Sequence, residues 1–207
     1  MSKAYEDTLA LKVVRAFERK NYVLDRGPGF INIFYIEGMD EDGMLNDNRP
    51  NVFNDLRGVL RFEGNKPVIR LWEATTEPGQ KYVLHPINPD GAARIEFGQY
   101  QAWNVGMHRD DHEALIQTGG PVTVTRDKNK DNKRDGDLRT TGYYGINQHW
   151  GYNLPHDDIG GASAGCLVGR LKEGHIEFMS IVKSDPRYKQ DHEYKFYTAI
   201  FPSSDII

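Results

Sequence analysis

The chain of 207 residues contains one cysteine, Cys166, and this scarcity limits what the protein can be. A single cysteine excludes an intramolecular disulfide framework and any zinc cluster built from cysteines. The chain also lacks the roughly 18 consecutive apolar residues of a membrane span, and residues 1–21 lack the apolar core of a secretory signal. We therefore expect synthesis in the cytoplasm and no insertion into a membrane.

A strong excess of one charge is also missing, since the formal net charge is −4. This balance gives no electrostatic case for nucleic acid or an anionic membrane as the main partner. With 38% hydrophobic and 11% aromatic residues, the chain has enough apolar side chains to bury a core. Its length fits one large domain, or a domain with a modest extension.

The N-terminal part of the chain predicts a helix followed by one short strand. Over residues 3–20, apolar side chains such as Leu9, Val13 and Phe17 recur at helical spacing. Over 30–36, Ile31, Ile33 and Tyr35 alternate with a second set of side chains, as in a strand. The polar stretch 37–50 is interpreted as a surface loop, so the predicted division is an extension at 1–50 and a catalytic domain at 51–207.

Most of the remaining chain predicts short strands bounded by turn residues. The predicted strands are 58–63, 67–73, 81–84, 92–97, 114–117, 122–125 and 193–201. One short helix is predicted within 173–184, and the segment 142–169 is rich in glycine and polar residues. The expected fold is mainly β, a mixed sandwich or barrel, with an N-terminal helix and one or two short helices.

Small residues crowd the single cysteine on both sides, in the run Gly160–Gly169. This composition lets the backbone approach a substrate closely and lets amide N–H groups point at a developing oxyanion. His149 lies 17 positions upstream and is a candidate base for the thiol. The alternative from composition alone is that Cys166 is a small buried hydrophobe, as free cysteines usually are.

The pattern from His149 to Ser163-Ala164-Gly165-Cys166 resembles the signature of the L,D-transpeptidase (YkuD-type) catalytic domain. This resemblance implies a mainly β catalytic domain whose cysteine attacks a peptide carbonyl in peptidoglycan stem peptides. It implies that Cys166 is the nucleophile, that His149 is the general base and that the backbone carbonyl of Trp150 orients the imidazole. The motif includes Ser163, and the backbone N–H groups of Gly165 and Cys166 are the candidate oxyanion donors.

The chain departs from the family pattern at two positions. Ala164 stands where family members usually carry a second histidine, and Val168 stands where an arginine or asparagine is common. Arg170 follows soon after and is a candidate substrate-binding residue, together with His108 and Arg109. The alternative for His108 is a surface loop histidine paired with a neighbouring aspartate; for His112 this is the expected role.

A broader resemblance covers 57–179, which is similar to a group of phage-associated wall-lysis proteins. The segments that carry it are 105–109, 114–117, 145–149 and 163–166. It implies a protein that acts on the cell wall. Because the sequence shows no secretory signal and a wall-building transpeptidase would need export, we expect an endolysin-like peptidoglycan hydrolase released from the host cytoplasm. Three alternatives stay open: a transpeptidase that forms cross-links, a non-catalytic wall-binding or phage structural protein, and an intracellular cysteine protease of unrelated fold.

An Asp-rich stretch at 127–135 has the spacing of a calcium loop. Oxygen-bearing side chains stand at loop positions 1, 3, 5 and 9, a backbone carbonyl is available at position 7, and Ca²⁺ prefers such hard oxygen ligands. The predicted ligands are Asp127, Asn129, Asp131, Lys133 and Asp135. The sequence thus predicts a structural calcium ion, while the alternative is a solvated hairpin tip whose lysines neutralise the aspartates.

Overall fold

The computed structural model describes residues 3–134 and 136–206 and is mainly β, as predicted. Eight strands close into a barrel in the order β1-β11-β5-β6-β9-β10-β3-β2. They are β1 (Asn32–Glu37), β2 (Asp55–Glu63), β3 (Lys66–Thr75), β5 (Gly98–His108), β6 (His112–Ile116), β9 (Gln148–Trp150), β10 (Leu167–Gly169) and β11 (Phe196–Pro202). The neighbours β1 and β11, and β9 and β10, are parallel, whereas the other pairs are antiparallel.

A second, three-stranded sheet lies beside the barrel. Its order is β4-β7-β8, and its strands are β4 (Ala92–Ile95), β7 (Val122–Asp127) and β8 (Leu138–Gly142). The predicted strands at 114–117 and 122–125 therefore belong to different sheets, the first to the barrel and the second to this small sheet.

The N-terminal helix α1 (Lys3–Arg19) covers the outside of the barrel. Its apolar face, including Leu9, Val13 and Phe17, packs in one core with Phe34 and Phe201. In β1 the predicted alternation is confirmed, because Ile33 and Tyr35 face the barrel interior while Phe34 faces α1. Strand β1 is one of the strands of the barrel sheet and pairs with β11 and β2, so a domain boundary near residue 50 would divide this sheet.

The described residues also form three further helices, α2 (Gln80–Leu84), α3 (Lys172–Ser184) and α4 (Pro186–Gln190), and a short 3-10 turn after β11 at Ser203–Asp205. Helix α3 confirms the helix predicted at 173–184 and packs Phe178, Met179 and Val182 into the barrel core. The strand predicted at 81–84 is wrong, because those residues form α2. Its run of three apolar or aromatic residues is too short to separate strand from helix by periodicity.

None of the helices in the described part of the chain is long and apolar enough to cross a bilayer.

Candidate active site

The barrel brings the predicted nucleophile and base together through two short parallel strands. Leu167 of β10 pairs with Gln148 of β9, and the Leu167 N–H donates to the Asn147 carbonyl at 2.9 Å. Cys166 comes directly before β10, so the register sets it beside Asn147 and two positions from His149. For a parallel pair this corresponds to a Cα separation of about 8 Å between Cys166 and His149, within the combined reach of the two side chains.

The turn before the cysteine is held by the Ser163 side chain. Ser163 Oγ donates to the Cys166 carbonyl at 2.9 Å and accepts from the Gly165 N–H at 3.1 Å. The Gly165 N–H is therefore engaged within the turn, and of the two oxyanion donors expected from the sequence only that of Cys166 has no acceptor in 3–134 and 136–206.

Only glycine fits at position 165. Its φ is +127°, and a Cβ there would lie 2.7 Å from the carbonyl oxygen of Ala93 in β4. Positive φ and close backbone contact both exclude ordinary side chains. The small sheet thus sets the position of the turn that carries the sulfur.

A cavity of about 370 Å³ opens at the sulfur. Cys166, Ala164 and Asn147 form one wall, His108 and Arg109 form another, and residues of α2, the loop 87–91 and the small sheet close the remainder. Ala164, the position where the family motif has a second histidine, lines this cavity with a methyl group. A histidine ring reaches the cavity instead from the end of β5, at His108.

The thiol is protonated at neutral pH. Cys166 keeps partial exposure through the cavity, but burial raises the pKa of its thiol. A hydrogen bond from the Asn147 backbone and the charge of Arg109 act in the opposite direction and are outweighed. The Sγ donates to the Gly145 carbonyl at 3.5 Å, and a thiol is a weak hydrogen-bond donor. A proton acceptor is therefore needed to generate the nucleophilic thiolate.

His149 has the tautomer of a base. Its ring is 1% exposed, and its Nδ1 lies 2.8 Å from the Trp150 carbonyl, which can only accept a hydrogen bond. The proton of the neutral ring is therefore on Nδ1, and Nε2 presents a lone pair. Burial, and then the neighbouring His108, lower the pKa of His149 well below 6.5, so the ring is neutral at pH 7. Nε2 is buried and has no partner among the described residues.

His108 has the opposite tautomer. The Gln117 N–H donates to Asn147 Oδ1 at 2.9 Å, which fixes the orientation of the Asn147 amide. Asn147 Nδ2 then donates to His108 Nδ1 at 3.0 Å, leaving the ring proton on Nε2. This Nε2–H is buried and has no acceptor in the described structure. Burial, and then the charge of Arg109, lower the pKa of His108 to about 4.

The two imidazoles stack on each other, with ring centroids 4.0 Å apart and an interplanar angle of 18°. One presents a free lone pair and the other a free N–H donor, so the stack can both take a proton and stabilise a negative oxygen. The sequence predicted His149 and His108 but missed Asn147, whose amide sets the tautomer of His108. Its only signal was its position two residues before His149, on the same face of the chain.

The predicted arginines separate into two places. Arg109 lines the cavity at Cys166, whereas Arg170 pairs with Glu73 and lines a different cavity. A further arginine, Arg126 of β7, lines the cavity at Cys166 and was missed. His112 pairs with Asp111 at 2.8 Å, as expected, but it is the first residue of β6 and its side chain is only 15% exposed, so it is not a surface loop histidine.

The Asp-rich loop joins β7 to β8 and is tightly wound. The Asp127 carboxylate accepts the N–H groups of Asp131 at 3.1 Å and Asn132 at 3.0 Å, while Asp131 Oδ1 accepts the Lys133 N–H at 2.8 Å. Asn129 Oδ1 also accepts the Asp131 N–H, and Asn132 has the positive φ of +60° expected for this position.

Several of the predicted calcium ligands are thus occupied by hydrogen bonds of the loop itself. No group of three or more His, Cys, Asp or Glu side chains arranged for a metal occurs in residues 3–134 and 136–206. Asp135 lies outside the described residues, and calcium binding here stays a prediction from the sequence.

No protein-family model matches the chain, and no curated protein sequence matches it. The resemblance to L,D-transpeptidases therefore depends on the residues of the sequence motif alone and stays a prediction from the sequence.

Proposed function

We propose that the protein is a cysteine-dependent peptidoglycan hydrolase that cleaves wall peptides through a thioester acyl-enzyme. The observation that carries this proposal is the arrangement at the cavity: Cys166 and His108 line it, and His149, which the register sets two positions from Cys166, stacks on His108 and has a free base nitrogen. A cysteine that only packs in a core needs neither a cavity at its sulfur nor a nearby base with an unused lone pair.

The tautomers assign the roles in the reaction. His149 Nε2 accepts the proton of Cys166, because His108 Nδ1 is already occupied by the Asn147 amide and His108 Nε2 already carries a proton. The thiolate attacks the peptide carbonyl, forming the carbon–sulfur bond. The negative oxygen is stabilised by the Cys166 N–H and the His108 Nε2–H.

Collapse of this intermediate breaks the carbon–nitrogen bond, and the amine leaves with the proton held by His149. Water then attacks the thioester, with His149 again accepting a proton, and the carboxylic acid is released. The Nδ1–H bond to the Trp150 carbonyl keeps the ring in its orientation and stabilises the imidazolium that forms twice in this cycle.

The choice of peptidoglycan as substrate is supported by the likeness of His149 and Ser163–Cys166 to the L,D-transpeptidase motif. The geometry alone supports cysteine acyl transfer to or from a peptide. Hydrolysis and transpeptidation share the thioester and differ in whether water or an amine resolves it.

The test is digestion of purified sacculi, with the released muropeptides identified by mass spectrometry. Wild type is compared with Cys166→Ala and with His149→Ala; His192→Ala is the matched control, because His192 is exposed and stacks on Tyr188 away from the cavity. We expect peptide-cleaved products from wild type and the control, and a loss of at least 100-fold in both site variants.

The products decide between the alternatives. Newly cross-linked stem peptides among the products would mean that the reaction is transpeptidation and not hydrolysis. Binding to sacculi without products, equal in wild type and Cys166→Ala, would refute catalysis and leave a wall-binding protein. Circular dichroism of each variant establishes that a loss of turnover is not a loss of folding.

A further inference from the structure

The cavity at Cys166 carries an unbalanced positive charge. Two arginines, Arg109 and Arg126, line it, and none of its lining residues is an aspartate or glutamate. The whole chain is acidic, with a net charge of −4. A positive cavity in an acidic protein attracts and selects anions, because the low-dielectric walls focus the field of the two cations.

Arg126 is the more informative of the two, because it is only 6% exposed. Its guanidinium lies over the Tyr144 ring, 4.6 Å from the centroid. The guanidinium forms no hydrogen bond or ion pair with any described residue. The buried Arg94 pairs with Glu77 at 3.3 Å, whereas the fully buried Arg57 has no carboxylate partner among the described residues and lies against the Phe178 ring and His175.

A buried guanidinium without an anion or a hydrogen-bond acceptor lacks the interactions that would offset its loss of hydration. Withdrawing a charge from water is costly unless it is paired and hydrogen-bonded, and the Tyr144 ring meets only one face of the guanidinium. The edge N–H groups form a planar fork that fits a carboxylate or phosphate in a bidentate manner. Because the cavity wall supplies no such group, a ligand in the cavity is the partner that remains.

We propose that the cavity is an anion subsite, in which Arg126 binds a free carboxylate of the acyl donor next to the bond that Cys166 attacks. Arg109 is exposed at the cavity, so it adds a second positive charge but does not hold the anion in a fixed position. Arg126 is then a specificity-determining residue, which selects peptides with a free carboxylate over the corresponding amides. This inference depends on the proposed function for the identity of the acyl donor, but the anion preference itself can be measured without turnover.

The probes are iodoacetate and iodoacetamide, which have similar size and the same leaving group and differ in charge. In both reactions the thiolate of Cys166 attacks the methylene carbon, a thioether forms and iodide leaves. The chain has no other cysteine, so intact-protein mass spectrometry reports this site alone. The ratio of the two rate constants removes the influence of the thiol pKa, and the urea-unfolded protein supplies the intrinsic ratio.

We expect the iodoacetate-to-iodoacetamide ratio in the folded protein to exceed that of the unfolded protein by roughly tenfold or more, as for one charge-assisted contact. Arg126→Gln is expected to remove most of this excess, and Arg126→Lys to retain part of it. Arg49→Gln is the control of equal charge change, since Arg49 is exposed and pairs with Asp47 away from the cavity.

Equal ratios in folded and unfolded wild-type protein would overturn the anion subsite. The same conclusion follows if Arg126→Gln and Arg49→Gln lower the ratio equally, because the effect would then be one of net charge. If sacculi are not digested and the Arg126-dependent excess is present, the hydrolase proposal fails and the anion subsite stands. If sacculi are digested but the Arg126-dependent excess is absent, the hydrolase proposal stands and the anion subsite fails.

Discussion

Lowering the pH from 7 to 5 is expected to destabilise this protein through its buried neutral histidines, and His175 allows the effect to be measured. His175 lies in α3 and is 3% exposed. Its Nδ1 lies 3.2 Å from Arg57 Nη1 and its Nε2 lies 2.8 Å from the Glu113 carbonyl. Since guanidinium can only donate and the carbonyl can only accept, the ring is held neutral with its proton on Nε2.

The magnitude follows from linkage between protonation and folding. Burial, and then the charge of Arg57, lower the pKa of His175 to about 3, from 6.5 in the unfolded chain. The stability that the neutral ring provides is complete above pH 6.5 and is lost as the pH falls towards the folded pKa, because only the unfolded chain takes up the proton. Between pH 7 and 5 the loss amounts to about 2 kcal/mol for this histidine.

This figure is insensitive to the folded pKa, since any folded value well below 5 gives nearly the same loss. Other groups act in the opposite direction, because burial raises the pKa of the Asp55 and Glu77 carboxyls, which therefore bind protons more tightly when folded. The pH dependence of wild type alone would mix these contributions. A comparison with a variant at position 175 removes them.

The assay is urea unfolding of wild type and His175→Gln, followed by tryptophan fluorescence at pH 7, 6 and 5. Glutamine retains a donor and an acceptor but does not titrate. We expect the loss of unfolding free energy between pH 7 and 5 to be about 2 kcal/mol smaller in the variant. Identical pH dependence in the two proteins would refute the buried neutral state of His175. His192→Gln, at an exposed histidine, serves as the control.

Three further predictions concern the cavity and the Asp-rich loop. Alkylation of Cys166 by iodoacetamide should still accelerate above pH 8.5, because burial raises the pKa of the thiol. Gly165→Ala should destabilise the fold by about 1–3 kcal/mol, because its Cβ meets Ala93 at a positive φ; urea unfolding measures this. Asp127→Ala should cost about 1–2 kcal/mol, because the Asn132 N–H loses its acceptor and the Asp131 N–H loses one of its two, while Asp127→Asn should cost less in the same assay.

Each of these has a contrary outcome. An alkylation rate that levels off near pH 7 would indicate a preformed thiolate–imidazolium pair and would contradict the neutral pair described above. Unchanged stability in Gly165→Ala would mean that the turn can move away from β4. Equal stability of Asp127→Ala and wild type would show that the loop hydrogen bonds contribute nothing net.

Some elements of the fold were predictable from local patterns, whereas the strands β5, β8 and β10 were not among those predicted. The helices at the N-terminus and at α3 follow from apolar spacing, and the two faces of β1 follow from strict alternation. The segment at 81–84 was not predictable in this way, because four residues carry too little period. The closure of the barrel, and the place of β1 within it, depend on pairings between β1 and β11 that are remote in sequence and leave no local pattern.

The sequence by itself identified Cys166 as the nucleophile candidate, since there is one thiol, and His149 as the proposed base, since its spacing to Cys166 resembles the L,D-transpeptidase signature. The tertiary structure decided the chemical state of the site. The tautomer of His149 depends on the Trp150 carbonyl. The tautomer of His108 depends on the Asn147 amide, whose orientation is fixed by the backbone of Gln117, 30 residues away in the chain.

Likewise, Arg126 belongs to this site because β7 pairs with β4, the strand that lies against the turn at Gly165, and Arg170 is excluded because Glu73 holds it elsewhere. The reason is physical: residue type and spacing specify what a side chain can do, whereas burial and hydrogen-bond partners specify which protonation state and which neighbours it has.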